Sequence, residues 1–318
     1  LAVLGFVDGK QLKNLSAINN KTEYLVISPT EFGNTAYELA EFRSSDSAIA
    51  SFKTTLVLVE DIYRYYKGGS LSPVAIRNYI AYAKGVCPNL KYVLLVGYGH
   101  FDYRGFYSRF PKNFIPPFEN EAVVSEDFYG VLDSGHAAIY GTDDIDVAVG
   151  RLTVVNDLEF RNYLKKAKEY EQVRKYDHSS WRSTLILTAD DARNGTDVDK
   201  TEHTRIHESV SSMIDTLSEK NKYRWNQKKI YLLNYKEDAA GQKKDAAQHL
   251  VDALNQGALM TTYFGHASVT DWAGEGLLKT SYVSRLTNKK LYTILNSFSC
   301  STSRFDNGKT VSLTHSFV

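Results

Sequence analysis

Eight short apolar runs punctuate the chain. They are EYLVIS at 23–28, TTLVLVE at 54–60, KYVLLVG at 91–97, DVAVGR at 146–151, STLILTA at 183–189, KIYLLN at 229–234, ALMTTYF at 258–264 and LYTILNS at 291–297. Their apolar residues are continuous rather than alternating. A strand with one wet face alternates, so continuous runs suit parallel strands covered on both faces. Between the runs lie AYELAEFRSS, SPVAIRNYIAYAK, DLEFRNYLKKAKEYEQVRK, KTEHTRIHESVSSMIDTLSEK and KKDAAQHLVDALNQG. Their apolar residues recur every three to four positions, which predicts helices, and Pro73 fits the first turn of one of them. Strands alternating with helices predict βαβ units and a doubly wound α/β fold.

Two stretches interrupt the pattern. Residues 98–145 are rich in Gly, Pro, Phe, Tyr and acids, and read as long loops, which in compact domains are often functional. RKYDHSSWRS, after a long charged helix, marks a subdomain boundary near residue 178. The expected organisation is a preceding-region edge at 1–21, an N-terminal subdomain at 22–177 and a second subdomain at 178–318. LAVLGFVDGK carries no initiating Met, basic leader or small-residue cleavage site, and VSLTHSFV stops inside an apolar helical pattern. The chain is therefore expected to be cut at both ends.

Composition narrows the function. Lys plus Arg number 38 against 37 Asp plus Glu, a net charge of +1. That balance argues against a nucleic-acid or membrane-surface role, both of which favour a basic face. No apolar run approaches the roughly 20 residues of a transmembrane helix. With only Cys87 and Cys300, neither a disulfide scaffold nor a CxxC metal pair is possible. Cys87, in AKGVCPNL, reads as a small buried hydrophobe.

Cys300 and His266 read differently. In open parallel sheets, ligands bind beyond the carboxyl ends of the strands. His266 in YFGHASVTDW and Cys300 in SFSCSTSRFD each stand just past such an end, on consecutive strands. Consecutive strands joined by a crossover are usually neighbours, so the two side chains can meet. Gly265 permits the tight turn that presents His266. A thiol beside an imidazole ionises and becomes a nucleophile, and the imidazole then protonates a leaving amine. Backbone N–H groups of Cys300 and of Ala267, after the histidine, can receive the oxyanion. A lone Cys and a lone His at strand ends are more often structural than catalytic, so local context has to decide.

That context resembles the gingipain-type cysteine peptidases, relatives of the caspase fold. YFGHASVTDW and TILNSFSC stand where the family has a strand ending in Gly-His-Gly with a Trp beyond it, then a strand ending in the nucleophilic Cys. VSEDFYGVLD, IDVAVGRL and KYVLLVG match further blocks in the right order, from about residue 22 to the end. The resemblance implies a caspase-like α/β/α sandwich of mostly parallel sheets in two subdomains. Its implied site is catalytic His266 and Cys300, with an acid at Asp190 of LILTADDARNG to orient the histidine and Asp191 beside it. Ala267 departs from the family glycine, and alanine is strained at positive φ. In the stretch TDVDKTEHTRI no acid falls cleanly at the floor of the first specificity pocket: Lys200 aligns, with Asp199 adjacent. Specificity for Arg or Lys is not supported. Asp199, Trp272 and His100 are candidates for the substrate cleft, His100 otherwise being a loop histidine.

SFSCSTSRFDN and DFYGVLD look closest to the sortase branch that serves type IX secretion. That branch implies polypeptide substrates with a C-terminal secretion signal, a lipopolysaccharide acceptor, outer-membrane secretion partners and a cell-surface location. A broad-specificity secreted protease and a silent scaffold in a secretion complex remain as alternatives. No cofactor is required and no metal site is assigned. The pair His203 and His207 lacks the Glu that a zinc peptidase places directly after its first His. The resemblance allows structural calcium, for which Asp143 to Asp146 are the acidic candidates.

Overall fold

Every one of the eight apolar runs becomes a strand, and the strands form two four-stranded parallel sheets. The computed structural model describes residues 6–7, 10–11, 15, 18–107, 110–120, 123–132, 144–176, 179–191, 197–221, 224–306 and 311–317. It divides into two compact units. One is Leu1–Glu171 with Phe305–Lys309 and Val318; the other is Gln172–Arg304 with Thr310–Phe317. Residue 178, the expected boundary, lies outside the described residues.

The first unit holds β1 (Tyr24–Ser28), β2 (Thr54–Leu58), β3 (Tyr92–Val96) and β4 (Ala148–Leu152), in the order β2-β1-β3-β4. Leu25, Val26 and Ile27 are wholly buried, which is why their run shows no polar alternation. Helix α1 (Gly33–Arg43) follows β1, and α2 (Val59–Lys67) follows β2 with no loop between. The sequence pattern had not separated α2 from the run TTLVLVE. Val59 suits both periods, and the apolar spacing changes only at Ile62 and Tyr63, which are buried. Helix α3 (Pro73–Val86) opens with Ser72, whose Oγ accepts the Ala75 amide at 3.2 Å. A short α4 (Asp127–Gly130) lies within DFYGVLD, and α5 (Asp157–Tyr176) begins after β4.

The described parts of the 98–145 stretch are anchored through their backbone. The Phe114 amide donates to the Tyr98 carbonyl at 2.9 Å, and the Tyr63 hydroxyl to the Phe114 carbonyl at 2.8 Å. Arg151 pairs with Glu126 at 2.9 Å and donates to the Ile115 carbonyl at 2.7 Å. A loop without ladder partners needs such side-chain partners wherever it is buried.

The second unit contains β5 (Thr184–Ala189), α6 (Asp197–Asn221), β6 (Asn226–Tyr231), α7 (Lys244–Gln256) and β7 (Met260–Phe264). A small antiparallel pair, β8 (Asp271–Trp272) and β9 (Leu278–Lys279), precedes β10 (Ile294–Phe298). The sheet order is β6-β5-β7-β10, all parallel. β6 starts at Asn226 rather than Lys229, because its polar first half sits at the sheet edge, where it need not be apolar. Successive residues of a strand face opposite ways. Ile186 clusters with Ala246 and Leu250 of α7. Leu187 clusters with Tyr231, on which His207 of α6 stacks. The two helices therefore cover opposite faces, as an α/β/α sandwich requires. Among the described residues, no helix is long and apolar enough to cross a membrane.

Candidate active site

Register brings the site together. Ala189 of β5 pairs with Phe264 of β7, and Phe264 with Phe298 of β10. Asp190 thus stands one residue beyond its strand, while His266 and Cys300 each stand two beyond theirs. The last two occupy equivalent positions on neighbouring parallel strands, which lie about 4.8 Å apart.

Gly265 makes the turn. Its amide donates to the Phe298 carbonyl at 3.2 Å, and its φ is 155°. A Cβ there would come within 2.2 Å of Asp190 Cβ and 2.7 Å of the Tyr263 hydroxyl. Only glycine lets β7 end against Asp190. The Tyr263 hydroxyl donates to the His266 carbonyl at 2.5 Å and pins the turn from below.

Asp190 Oδ2 takes the His266 amide at 3.0 Å and lies 2.8 Å from His266 Nδ1. Asp190 Oδ1 takes the Asp191 amide at 2.9 Å. A carboxylate accepts only, so Nδ1 carries the proton and Nε2 is left for other work. The side chain of Asp190 is 3% exposed and that of His266 is 69% exposed. A fixed, buried acid thus holds a histidine that reaches solvent. Asp191 faces elsewhere, to the ammonium of the buried Lys243, which also donates to the Leu232 carbonyl at 2.8 Å.

Cys300 is exposed, and it rides a turn closed by Ser301 at φ 60° and by the Thr302 amide donating to the Cys300 carbonyl at 2.8 Å. Three hydroxyls tie this turn to the strand. Ser297 Oγ is 2.6 Å from Ser299 Oγ and 3.2 Å from Thr302 Oγ1, and it accepts the Trp272 indole N–H at 2.9 Å. The sequence reading did not find this network; the hydroxyl-rich SFSCST run was its signal. Ala267 faces Trp272 in an isolated antiparallel bridge and is not among the residues of positive φ, so replacing glycine brings no strain. Among the described residues, neither the Ala267 nor the Cys300 amide has an acceptor.

Two expectations for the substrate cleft fail on burial. Trp272 is wholly enclosed, stacked on Tyr263 at 4.5 Å, and serves the interior. His100 is 4% exposed; its Nδ1 accepts the Asp102 amide at 3.2 Å and its Nε2 donates to the Pro111 carbonyl at 3.0 Å. Burial also pushes its pKa down. It is a loop-bracing neutral histidine. Asp199 and Lys200 lie in the first turn of α6, and their side chains fall outside the described set. His203 and His207 part company: His207 is buried, pushed down to about 4 by burial, while the His203 ring meets His266 edge-on at 5.2 Å. For calcium, Asp143 lies outside the described residues, and Asp146 Oδ2 accepts the Leu132 amide at 2.7 Å. No three His, Cys, Asp or Glu donors gather there among the described residues.

The fold and strand-end residues define an α/β protein with two parallel sheets, an aspartate-braced histidine past the end of one strand and a cysteine past the end of the neighbouring strand. The sequence matches peptidase family C25 over residues 17–318, and the chain belongs to that family. Its fold is that of the crystal structure of the Arg-specific cysteine proteinase gingipain R (RgpB), with TM-score 0.60 and 19% identity over 90% of this chain. The complex of Porphyromonas gingivalis RgpB pro- and mature domains matches with TM-score 0.58 and 20% identity over 89%. This chain spans 56% of the length of each. Dimeric latent PorU from Porphyromonas gingivalis overlaps 53% of this chain and 17% of its own, with 23% identity and TM-score 0.43. No curated protein matches the sequence.

Proposed function

We propose that the chain carries the catalytic domain of a cysteine endopeptidase. Cys300 Sγ attacks a peptide carbonyl, and the C–N bond breaks as His266 delivers its proton to the leaving amine. Asp190 holds the imidazole in the required tautomer. The amides of Ala267 and Cys300 receive the oxyanion. The thioester is then resolved by water or by an amine. The observation that carries this reading is the shared register of His266 and Cys300, together with the 2.8 Å contact from Asp190 to His266. A peptidyl acyloxymethyl ketone should label the wild type at Cys300 and leave Cys300→Ala unlabelled. An unlabelled wild type sinks the proposal.

The finer reading is a signal peptidase and transpeptidase of type IX secretion, exported to the cell surface. It would remove C-terminal signals and pass the cargo to a surface lipopolysaccharide, working with outer-membrane secretion proteins. Its support is the sequence forms SFSCSTSRFDN and DFYGVLD and the absence of a cleanly placed acid near Asp199. Incubation of a signal-bearing substrate with a simple amine should yield an amide product as well as the acid. Hydrolysis alone, on any sequence, would instead mark a broad-specificity peptidase.

A further inference from the structure

Near the end of the second sheet stands a nitrogen donor that this mechanism leaves idle. His203, on α6, has a buried Nδ1 with no hydrogen-bond partner among the described residues. Its ring meets His266 edge-on, with centroids 5.2 Å apart. One donor atom from each of Asp190, His203 and His266 lies within 4.8 Å of the other two. Two imidazoles and one carboxylate are a donor set suited to zinc, with the fourth position left to water.

We propose that Asp190, His203 and His266 form an inhibitory zinc site. Zinc bonds of about 2.0–2.1 Å place tetrahedral donors roughly 3.3 Å apart, so the trio closes with side-chain movements of about 1 Å. His266, 69% exposed, has room to move. Asp190 need not move, because the amides of Asp191 and His266 already fix it as the anchor. The inhibitory role rests on the reading of His266 as the proton carrier: zinc on Nε2 blocks proton transfer, and zinc on Nδ1, the nitrogen 2.8 Å from Asp190, displaces the proton that fixes the tautomer and draws electron density from the ring. The site differs from a metal held by Cys300 and His266, which would carry a thiolate ligand.

The test is a Zn²⁺ titration of the metal-free protein against a chromogenic zinc chelator. Wild type, His203→Ala, His203→Gln and Cys300→Ala are compared, with folding checked by circular dichroism. One equivalent should bind wild type and Cys300→Ala alike, and both His203 variants should bind at least about 10-fold more weakly. Co²⁺ in the same site should give visible ligand-field bands without a thiolate charge-transfer band. Failure of wild type to bind overturns the proposal. So does undiminished binding by folded His203 variants, loss of binding in Cys300→Ala, or a thiolate band. Zinc should also stop peptide cleavage by the wild type, and cleavage that persists at full occupancy overturns the inhibitory role. The expected binding pattern in a protein that cleaves nothing supports the site and overturns the peptidase reading alone.

Discussion

Two adjacent aspartates, Asp190 and Asp191, have opposite jobs because they follow one strand with opposite orientation. Asp190 meets His266, whereas Asp191 neutralises the buried Lys243. Asp190→Asn should lower turnover about 10- to 100-fold, since an amide offers the wrong donor pattern while a thiol still ionises without much help. Asp191→Asn should act on stability, because an ammonium buried without its charge partner costs about 3–5 kcal/mol. Kinetics and thermal melting of both variants separate the two roles. If Asp191→Asn is the one that slows turnover in a fully folded protein, the assignment is reversed. Gly265→Ala should abolish activity and lower the melting temperature together, since its Cβ and Asp190 Cβ cannot share a 2.2 Å gap. His207 gives a pH signature. Burial lowers its pKa from 6.5 to about 4, so the unfolded chain binds the extra proton between those values. Stability should therefore rise as pH climbs from about 4 to 6.5, by up to about 3 kcal/mol from this group. Melting across that window should flatten in His207→Gln; an unchanged slope assigns it to other groups.

At the level of elements, the end of β10 and the turn after it behave as one piece. Ser297 is the hub: it receives the Trp272 indole and touches Ser299 and Thr302, so the strand, the Cys300 turn and β8 meet at one hydroxyl. Ser297→Ala strands a buried indole N–H at a cost of about 1–3 kcal/mol. Ser299→Ala leaves the Ser297–Thr302 contact in place. Calorimetry should find the first variant clearly less stable than the second. Equal melting temperatures would show that the hydroxyls do not act as a hub. Trp272 thus supports the site from inside, a role its place after the Gly-His turn did not disclose.

For the whole molecule, the two cysteines report on two different units. Cys87 is buried, its thiol donating to the Asn19 carbonyl at 2.8 Å and its pKa pushed up by burial. Cys300 is exposed. Brief alkylation of the native protein should modify Cys300 alone, and alkylation in denaturant should modify both, as read by peptide mass spectrometry. Early modification of Cys87 would show that the first unit opens readily. On the proposed function, Cys300→Ala ends processing of a signal-bearing substrate, and Cys87→Ala leaves it near wild type. Equal loss in both would make the effect structural.

The sequence determined the elements. Continuous apolar runs such as LVI at 25–27 are required by burial on both faces, and that demand is written residue by residue. It also placed His266 and Cys300 past strand ends, because a glycine turn and a hydroxyl-rich turn are local signals. It was silent where one residue serves two periods, as Val59 does between β2 and α2, and where an edge strand tolerates polar residues, as β6 does at Asn226. The tertiary structure alone decided which distant groups meet. Register carried His266 and Cys300 to equivalent positions past neighbouring strand ends and set the 2.8 Å contact of Asp190 with the imidazole. Burial took Trp272 and His100 out of any cleft. The turn of α6 brought His203, and not His207, to His266. These outcomes depend on pairing and packing between segments far apart in the chain, and no local pattern of apolar and polar residues encodes them.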